Sequence, residues 1–295
     1  MISIRELSHC LGGNRVLDNV NLTIPDGTIM GLVGINGAGK STLLRLMSGV
    51  YIADEGYIRY DGSSPMDEAT RNDLFFLPDD PYFTHQATIK SMLDMYKPLY
   101  RGLDMDMYRR LITQFELDEK KPLRTFSKGM RRQAYIAIAL SIRPKYLLLD
   151  EAFDGLDPLS RQRVKEELIR MVEEDNSTII ISSHSLRELE DFCDMYAVID
   201  RMTVSSSGDI SEKVGRYCKF MLAFANNVPE NILDGLPIVS VTRSGKFIKG
   251  VFEGDSEQIL KRLEALSPSV IEQMPMNFEE TFINEVTRRK EHDKL

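Results

Sequence analysis

Residues 34–42 read Gly-Ile-Asn-Gly-Ala-Gly-Lys-Ser-Thr, a complete G-x-x-x-x-G-K-[ST] motif. The motif follows the apolar run Ile29–Val33, which is typical of a buried strand, and precedes the helix formers Leu43–Met47. Its glycines let main-chain N–H groups approach phosphate oxygens, and the helix that follows presents a partly positive N-terminus. Lys40 can reach the β- and γ-phosphates, and Ser41 can offer its hydroxyl to Mg²⁺. The motif in this setting predicts a site for a nucleoside triphosphate and Mg²⁺.

Composition limits the classes of protein to which this chain can belong. Its 295 residues suffice for one large domain or two modest ones, and its net charge of −8 argues against general nucleic-acid binding. Three widely spaced cysteines without a C-x-x-C pair favour a reducing cytosol. No stretch approaches the roughly 20 apolar residues of a membrane-spanning helix, and the first residues lack the order of a signal peptide. We therefore expect any membrane-embedded part of the system to be a separate chain.

Strand and helix patterns alternate along the first 210 residues. Short apolar segments, such as Val16–Ile24 and Thr178–Ser182, read as strands. Between Thr88 and Arg143 the apolar residues instead recur at helical spacing. This order predicts an α/β domain with a mostly parallel sheet, whose ligand lies at the carboxyl ends of the strands.

A change in composition near Ser205–Gly208 marks a predicted domain boundary. Beyond it, three segments read as strands and two as helices: Phe220–Phe224, Ile238–Thr242, Lys246–Phe252, Glu257–Leu266 and Phe278–Arg289. Asn277 followed by Glu280 has the pattern of a helix cap. We therefore expect a small C-terminal α+β domain over residues 211–295.

A second motif, which is acidic, supports the predicted nucleotide site. The apolar segment Tyr146–Leu149 ends in Asp150 and Glu151. A buried strand of this kind delivers two carboxylates to one edge of a sheet. Asp150 can then hold the Mg²⁺ shell, and Glu151 can polarise an attacking water.

With these residues the chain resembles the ATP-binding subunit of ABC transporters over residues 1–210. Thr125–Met130 stands at the position of the family signature L-S-G-G-Q, Asp154–Asp157 at the D-loop, and His184 at the switch histidine. Ser127 can cap the helix that follows the signature. The ordered set of motifs is far more specific than any one of them.

The resemblance implies an ABC-type P-loop NTPase fold, with an antiparallel β subdomain and a helical insert over residues 82–143. It implies Mg²⁺-ATP sandwiched between two subunits arranged head to tail, with Glu151 and His184 as catalytic residues. The implied metal ligands are Ser41, Asp150 and Asp79. The implied nucleotide contacts are Leu11, Asn36, Gly37, Ala38, Gly39, Lys40, Ser41, Thr42, Asp79, Ser127, Gly129 and Asp157.

Three departures from the family pattern concern the site. Asp79 takes the place of the Q-loop glutamine: it either couples the site to the helical insert with altered metal affinity, or points to solvent. Leu11 replaces an aromatic residue that stacks on adenine, so GTP could be tolerated. Lys128 and Met130 replace Gly and Gln of the signature, which resembles exporter-type subunits.

The resemblance thus implies an ATPase subunit that powers translocation, by expectation export, through a separate membrane permease. We expect it in the cytoplasm, peripheral on the inner face of the cell membrane, as a homodimer or a heterodimer and without a nucleic-acid partner. An ABC protein of ribosomes or DNA is an alternative, but the chain has a single phosphate loop and no sustained heptads. A regulator that does not turn over is a second alternative, against which Glu151 and His184 argue.

Overall fold

The computed structural model describes residues 1–100, 102–226 and 229–282. The chain divides into two compact units, Met1–Ser207 and Gly208–Leu295, and each has its own apolar core. This division lies close to the boundary that was predicted after residue 210.

The first unit alternates strands and helices in chain order. Its strands are β1 Ile2–Leu11, β2 Asn14–Ile24, β3 Ile29–Val33, β4 Glu55–Tyr60, β5 Leu74–Leu77, β6 Tyr146–Leu149, β7 Thr178–Ser183, β8 Met195–Asp200 and β9 Thr203–Asp209. Its helices are α1 Lys40–Met47, α2 Glu68–Asp73, α3 Ile89–Tyr96, α4 Met105–Gln114, α5 Lys128–Ile142, α6 Pro158–Asp175 and α7 Leu186–Glu190, with a 3-10 turn at Leu123–Thr125.

A six-stranded sheet in the order β5-β6-β7-β3-β8-β9 forms the centre of this unit. β3 pairs in parallel with β7 and β8, and β6 pairs in parallel with β5 and β7. All residues of β3 and β6 are buried, because the sheet is covered on both faces. The predicted α/β fold with a mostly parallel sheet is confirmed. The carboxyl ends of β3, β6 and β7 therefore meet at one edge.

A smaller antiparallel sheet in the order β2-β1-β4 packs into the same core. Apolar residues of β1 and β2, such as Ile4 and Leu17, lie in one buried cluster with Leu43 of α1 and Leu148 of β6. This cluster holds α1, and with it the phosphate loop, between the two sheets.

The helical pattern between Thr88 and Arg143 corresponds to three helices. Each begins at a side-chain cap: Thr88 for α3, Asp104 for α4 and Ser127 for α5. A capping side chain accepts hydrogen bonds from the unpaired N–H groups of the first helical turn and so favours the start of a new helix at that residue. These caps break the insert into pieces that pack on each other, with α4 and α3 against α5.

The second unit contains α8 Ile210–Gly215, β10 Tyr217–Ala223, a 3-10 turn at Glu230–Leu233, β11 Ile238–Ser244, β12 Phe247–Glu253, α9 Ser256–Glu264 and β13 Val270–Met274. Its antiparallel sheet has the order β11-β12-β10-β13. Alternate residues of β10, among them Phe220 and Leu222, form a core with Ile259 and Leu263 of α9.

The second unit contains one strand that was not predicted and one predicted helix that is described only in part. Strand β13 was not predicted, because its sequence Val-Ile-Glu-Gln-Met has little apolar alternation. The helix expected over Phe278–Arg289 is seen over residues 278–282, where the Asn277 side chain accepts from the Glu280 N–H at 2.8 Å. Its remaining part lies outside the described residues. Within the described ranges, no helix has the length and apolar character needed to cross a membrane.

Candidate nucleotide-binding site

The phosphate loop joins the end of β3 to α1, as the motif predicted. Gly37 and Gly39 have φ of 83° and 109°, in the region that only glycine adopts freely. A Cβ at Gly39 would lie 2.8 Å from Leu17 Cδ2 and 3.1 Å from the Val16 carbonyl. Gly39 is therefore required both by its conformation and by its close packing on β2. It is also the N-cap of α1, and no acidic residue in the first turn opposes an anion there.

Lys40 folds back over its own loop. Its Nζ donates to the Gly34 carbonyl at 2.7 Å and lies 3.3 Å from Glu151 Oε1. The side chain is only 5% exposed, so its charge needs partners inside the protein. The loop carbonyl and the carboxylate supply them.

Asp150 is fully buried at the end of β6. Its Oδ1 accepts from Ser182 Oγ at 2.7 Å, and its N–H donates to the Leu77 carbonyl at 2.9 Å. Its Oδ2 is buried and has no hydrogen-bond partner in the described part of the chain. Such an orphaned oxygen is rare in folded proteins and points to an absent partner.

The residues present fit a Mg²⁺ ion that is shared with a nucleotide. Among the described residues no three His, Cys, Asp or Glu side chains cluster as a metal site. Mg²⁺ does not need such a cage, since it commonly takes one or two protein oxygens together with phosphates and waters. The orphaned Asp150 Oδ2 and the Ser41 hydroxyl at the start of α1 are oxygen ligands of this kind.

Glu151 is held in an unusual conformation beside Asp150. Its φ is +47°, which is uncommon for a residue other than glycine and frequent at functional sites. Its Oε1 faces Lys40, and its Oε2 lies 3.1 Å from His184 Nδ1. The structure thus brings together the two predicted catalytic residues, one from the end of β6 and the other from beyond β7.

Ser182 belongs to the site although sequence reasoning missed it. Its Oγ donates to Asp150 Oδ1 and accepts from the Glu151 N–H at 2.9 Å. One hydroxyl on β7 therefore orients both acidic residues. The only signal in the sequence is a polar residue inside the apolar strand that precedes His184.

Asp79 lies in the loop after β5 and contacts the helical insert. Its Oδ1 and its carbonyl each accept from Arg132 Nη2 at 2.6 Å, and Arg132 Nη1 donates to the Pro78 carbonyl at 3.2 Å. Arg132 is 3% exposed, whereas the Asp79 side chain is 49% exposed. Asp79 therefore contacts the helical insert directly, as the coupling alternative requires. Its role as a metal ligand stays a prediction.

The signature segment starts α5 and contacts the segment that follows Glu151. Ser127 Oγ accepts from the Met130 N–H at 3.1 Å, and a Cβ at Gly129 would lie 2.5 Å from the Gly155 carbonyl. Lys128 forms a salt bridge with Asp154. This bond raises the pKa of Lys128 and lowers that of Asp154. Among the described residues, no hydrogen bond or salt bridge joins this segment to the phosphate loop of the same chain.

The other residues predicted to contact the nucleotide lie at the start of α6, at the end of β1, in the phosphate loop and in α1. Asp157 caps α6, accepting from the N–H and Oγ of Ser160 at 3.0 and 2.5 Å, and these bonds lower its pKa. Leu11 ends β1 and is exposed, as an apolar contact for a base would be. Asn36 and Ala38 lie in the phosphate loop, and Thr42 is buried in the first turn of α1.

Comparison with known proteins agrees with this geometry. The family description "ABC transporter" matches residues 17–154. The chain is similar to the ABC transporter ATP-binding protein YtrB of Bacillus subtilis (strain 168), with 31% identity over 285 residues that cover 96% of this chain and 97% of YtrB. It is also similar to the lantibiotic transport ATP-binding protein SrtF of Streptococcus pyogenes, with 33% identity over 205 residues, 68% of this chain and 86% of SrtF.

A solved structure of the ATP-binding subunit of an ABC transporter superposes with a TM-score of 0.66 at 27% identity, covering 72% of this chain and 91% of that one. The identity to YtrB extends over both units of the chain, beyond the segment that the family description matches. The chain therefore belongs to the ATP-binding proteins of ABC transporters, ATPases that hydrolyse ATP to power transport.

Proposed function

We propose that this protein is the Mg²⁺-ATP-hydrolysing subunit of a transporter whose membrane-spanning part is a separate chain. The observation that carries the proposal is the convergence of Lys40, Asp150, Glu151 and His184 at the carboxyl ends of β3, β6 and β7. In open α/β sheets this edge is where ligands bind. The main-chain N–H groups of the phosphate loop and the start of α1 then hold the phosphates.

Asp150 and Ser41 would hold Mg²⁺, which when bound neutralises charge on the β- and γ-phosphates. Ser182 keeps the Asp150 carboxylate in place through Oδ1, so that Oδ2 stays free. The charge of Lys40 and the preorganised loop dipoles stabilise the transferring phosphoryl group.

Nucleotide binding changes the partner of Lys40 and thereby prepares the catalytic base. In the structure Lys40 is shared between the Gly34 carbonyl and Glu151. A phosphate draws Lys40 away, because a dianionic oxygen cluster competes with one carboxylate. Glu151 Oε1 is then free to accept a proton from the attacking water, while His184 holds Oε2.

The proposed active form is a dimer in which the signature of one copy completes the site of the other. In support, Ser127 and Gly129 start α5 yet form no hydrogen bond to the phosphate loop of their own chain among the described residues. The start of α5 carries free N–H groups and a cation, Lys128, suited to a phosphate. We propose a homodimer, with a heterodimer as the alternative, and closure on ATP binding.

The helical insert is the proposed link to the membrane partner. Arg132 connects the loop at Asp79 to α5, so a shift at the end of β5 is passed to the insert. We propose that the subunit lies on the cytoplasmic face of the membrane and drives export. The signature variant at Lys128 and Met130 supports that direction.

The test is the variant Glu151→Gln. It keeps the shape of the side chain but removes the base, so we expect ATP hydrolysis to fall by about a hundredfold or more while ATP still binds. Sedimentation should then show an ATP-stabilised dimer that wild type forms only transiently. Glu166→Gln, an exposed position on α6, is the matched control and should behave as wild type. Rapid turnover by Glu151→Gln would refute the role of Glu151.

A further inference from the structure

The sheet of the second unit has two different faces. One face, with Phe220 and Leu222, is covered by α9. On the opposite face, directly paired residues of neighbouring strands form rows across the sheet. One row contains Lys219 and Val251, which are buried, and Lys219 Nζ is bonded to both carboxylate oxygens of Glu280 at 2.8 and 2.7 Å. This part of the face is therefore covered by the chain itself.

The next two rows are half-buried at their centre and exposed at both ends, and we call them the open rows. The first has Met221 at its centre, with Lys249 on one side and Glu272 on the other. The second has Ala223 at its centre, flanked by Phe247 and Val270. Phe247 and Val270 are 55% and 53% exposed, and Lys249 and Glu272 are also exposed.

The two charges of the open rows have no partner among the described residues and are symmetric about the central strand. Neither Lys249 nor Glu272 forms a hydrogen bond or salt bridge with a described residue. Two strand spacings separate them, roughly 10 Å, so they sit at equal distances on either side of β10. A positive and a negative group placed in this way form a self-complementary pattern.

A two-fold axis along β10 would place two copies of this face against each other. Such an axis exchanges left and right, so Lys249 of one copy would lie over Glu272 of the other, twice. Phe247 would lie over Val270, and Met221 and Ala223 over their own counterparts. Isologous interfaces of homodimers are self-complementary in this sense.

We propose that the open rows are a contact between the C-terminal units of two copies of this chain. It goes beyond the nucleotide-driven dimer of the proposed function, because it requires no ATP. Two rows of three residues, across three strands, are far smaller than the ~800 Å² per partner of a stable interface. The contact is therefore weak in free solution and gains strength where other contacts hold two copies close together.

The experiment uses the full chain without nucleotide, in sedimentation runs from micromolar to millimolar concentration. Wild type should self-associate at the upper end. Lys249→Glu and Glu272→Lys should each weaken association by about tenfold or more, since each turns two attractive pairs into two repulsive ones. An equimolar mixture of the two variants should associate as wild type does, because the mixed dimer regains both opposite-charge pairs. Lys261→Glu, an exposed change on α9, is the control and should have no effect.

Two results would overturn the contact: a wild type that stays monomeric throughout, or a mixture that associates no better than either variant alone. The variant Lys40→Ala separates this inference from the proposed function. It should keep the nucleotide-free association while losing any dimer that depends on ATP. Association that appears only with ATP and disappears in Lys40→Ala would sink the present inference and leave the proposed function intact.

Discussion

At the scale of single residues, the site depends on side chains that serve two partners at once. Glu151 faces both Lys40 and His184, and Ser182 bonds both Asp150 and the main chain of Glu151. Because of such shared contacts, a substitution at one residue alters the placement of several other side chains. These contacts also mean that a small change at a residue that need not touch the nucleotide can alter hydrolysis.

Ser182→Ala tests this sharing. It leaves both Asp150 oxygens unpartnered and removes the acceptor of the Glu151 N–H, so we expect a loss of about 1–3 kcal/mol in the free energy of unfolding. We also expect ATP turnover to fall by about 10- to 100-fold, as when a residue that orients a metal ligand is lost. Urea unfolding and a steady-state ATPase assay measure the two effects.

The neighbouring serine on β7 is the matched control. Ser183 is equally buried but bonds Glu188 of α7 instead of the acidic pair. Ser183→Ala should lower stability by a similar amount and leave turnover per folded molecule within about twofold of wild type. Equal losses of turnover in the two variants would contradict the orienting role of Ser182.

At the scale of elements, Arg132 joins the loop after β5 to α5. Its guanidinium reaches two carbonyls and a carboxylate at once, which a lysine cannot do. A buried arginine with these partners makes the position of one element depend on the other. Through these contacts of Arg132, a movement of the loop after β5 would displace α5, and so the nucleotide site would be coupled to the insert.

Arg132→Lys should cost about 1–3 kcal/mol of stability, because the charge stays buried while two acceptors lose their donor. Arg131→Lys is the control: Arg131 has one long bond, at 3.4 Å to the Phe126 carbonyl, and should cost under about 0.5 kcal/mol. Guanidinium unfolding compares the two variants. Equal stabilities would show that the Arg132 contacts add nothing.

The same loop allows the metal role of Asp79 to be tested. Asp79→Ala removes the carboxylate but leaves the carbonyls to which Arg132 donates. If Asp79 also binds Mg²⁺, the Mg²⁺ concentration at half-maximal ATPase rate rises by several-fold. An unchanged Mg²⁺ dependence and rate would remove Asp79 from the metal site.

At the scale of the whole molecule, Asp61 ties the antiparallel sheet to the central one. It follows β4 and accepts from Lys145 Nζ and Tyr146 Oη, each at 2.7 Å, at the start of β6. The bond from Lys145 is the main reason that the pKa of Asp61 lies well below its usual range. The same contact raises the pKa of Lys145.

These contacts make stability depend on pH in a definite direction. Because the pKa of Asp61 is lowered by folding, its contribution is present above the unfolded pKa of about 3.9 and is lost as pH falls below it. Asp61→Asn should cost about 1 kcal/mol near neutral pH, a modest value because the side chain is 46% exposed and screened by solvent. Urea unfolding should show that the difference from wild type shrinks below roughly pH 4.

A surface pair within one helix serves as the reference for this experiment. Among the described residues Asp106 pairs only with Arg109, three residues on, and both side chains are mostly exposed. Asp106→Asn should change stability by under about 0.5 kcal/mol. If the free energies of unfolding of wild type and Asp61→Asn differ by the same amount down to strong acid, ionised Asp61 does not stabilise the contact between the two sheets.

Local patterns predicted much of the fold and half of the site. The strand, loop and helix around Lys40 and the strand that ends in Asp150 are contiguous in sequence, so their form follows from apolar runs and glycine positions. The helical spacing after Thr88 predicted the insert, although its division into three helices depends on the caps at Thr88, Asp104 and Ser127. All three are residue types that commonly cap helices, but only the cap at Ser127 was predicted from the sequence.

By itself, the sequence determined the ligand class, the strand and helix on either side of the phosphate loop, and the identity of the acidic pair, since each depends on residues close together in the chain. Tertiary structure alone decided that Ser182 orients that pair, that Arg132 holds Asp79, and that Lys249 and Glu272 flank one strand. These contacts join residues far apart in sequence. Their formation depends on which distant segments of the chain become neighbours in the sheets, and a local sequence pattern does not show this.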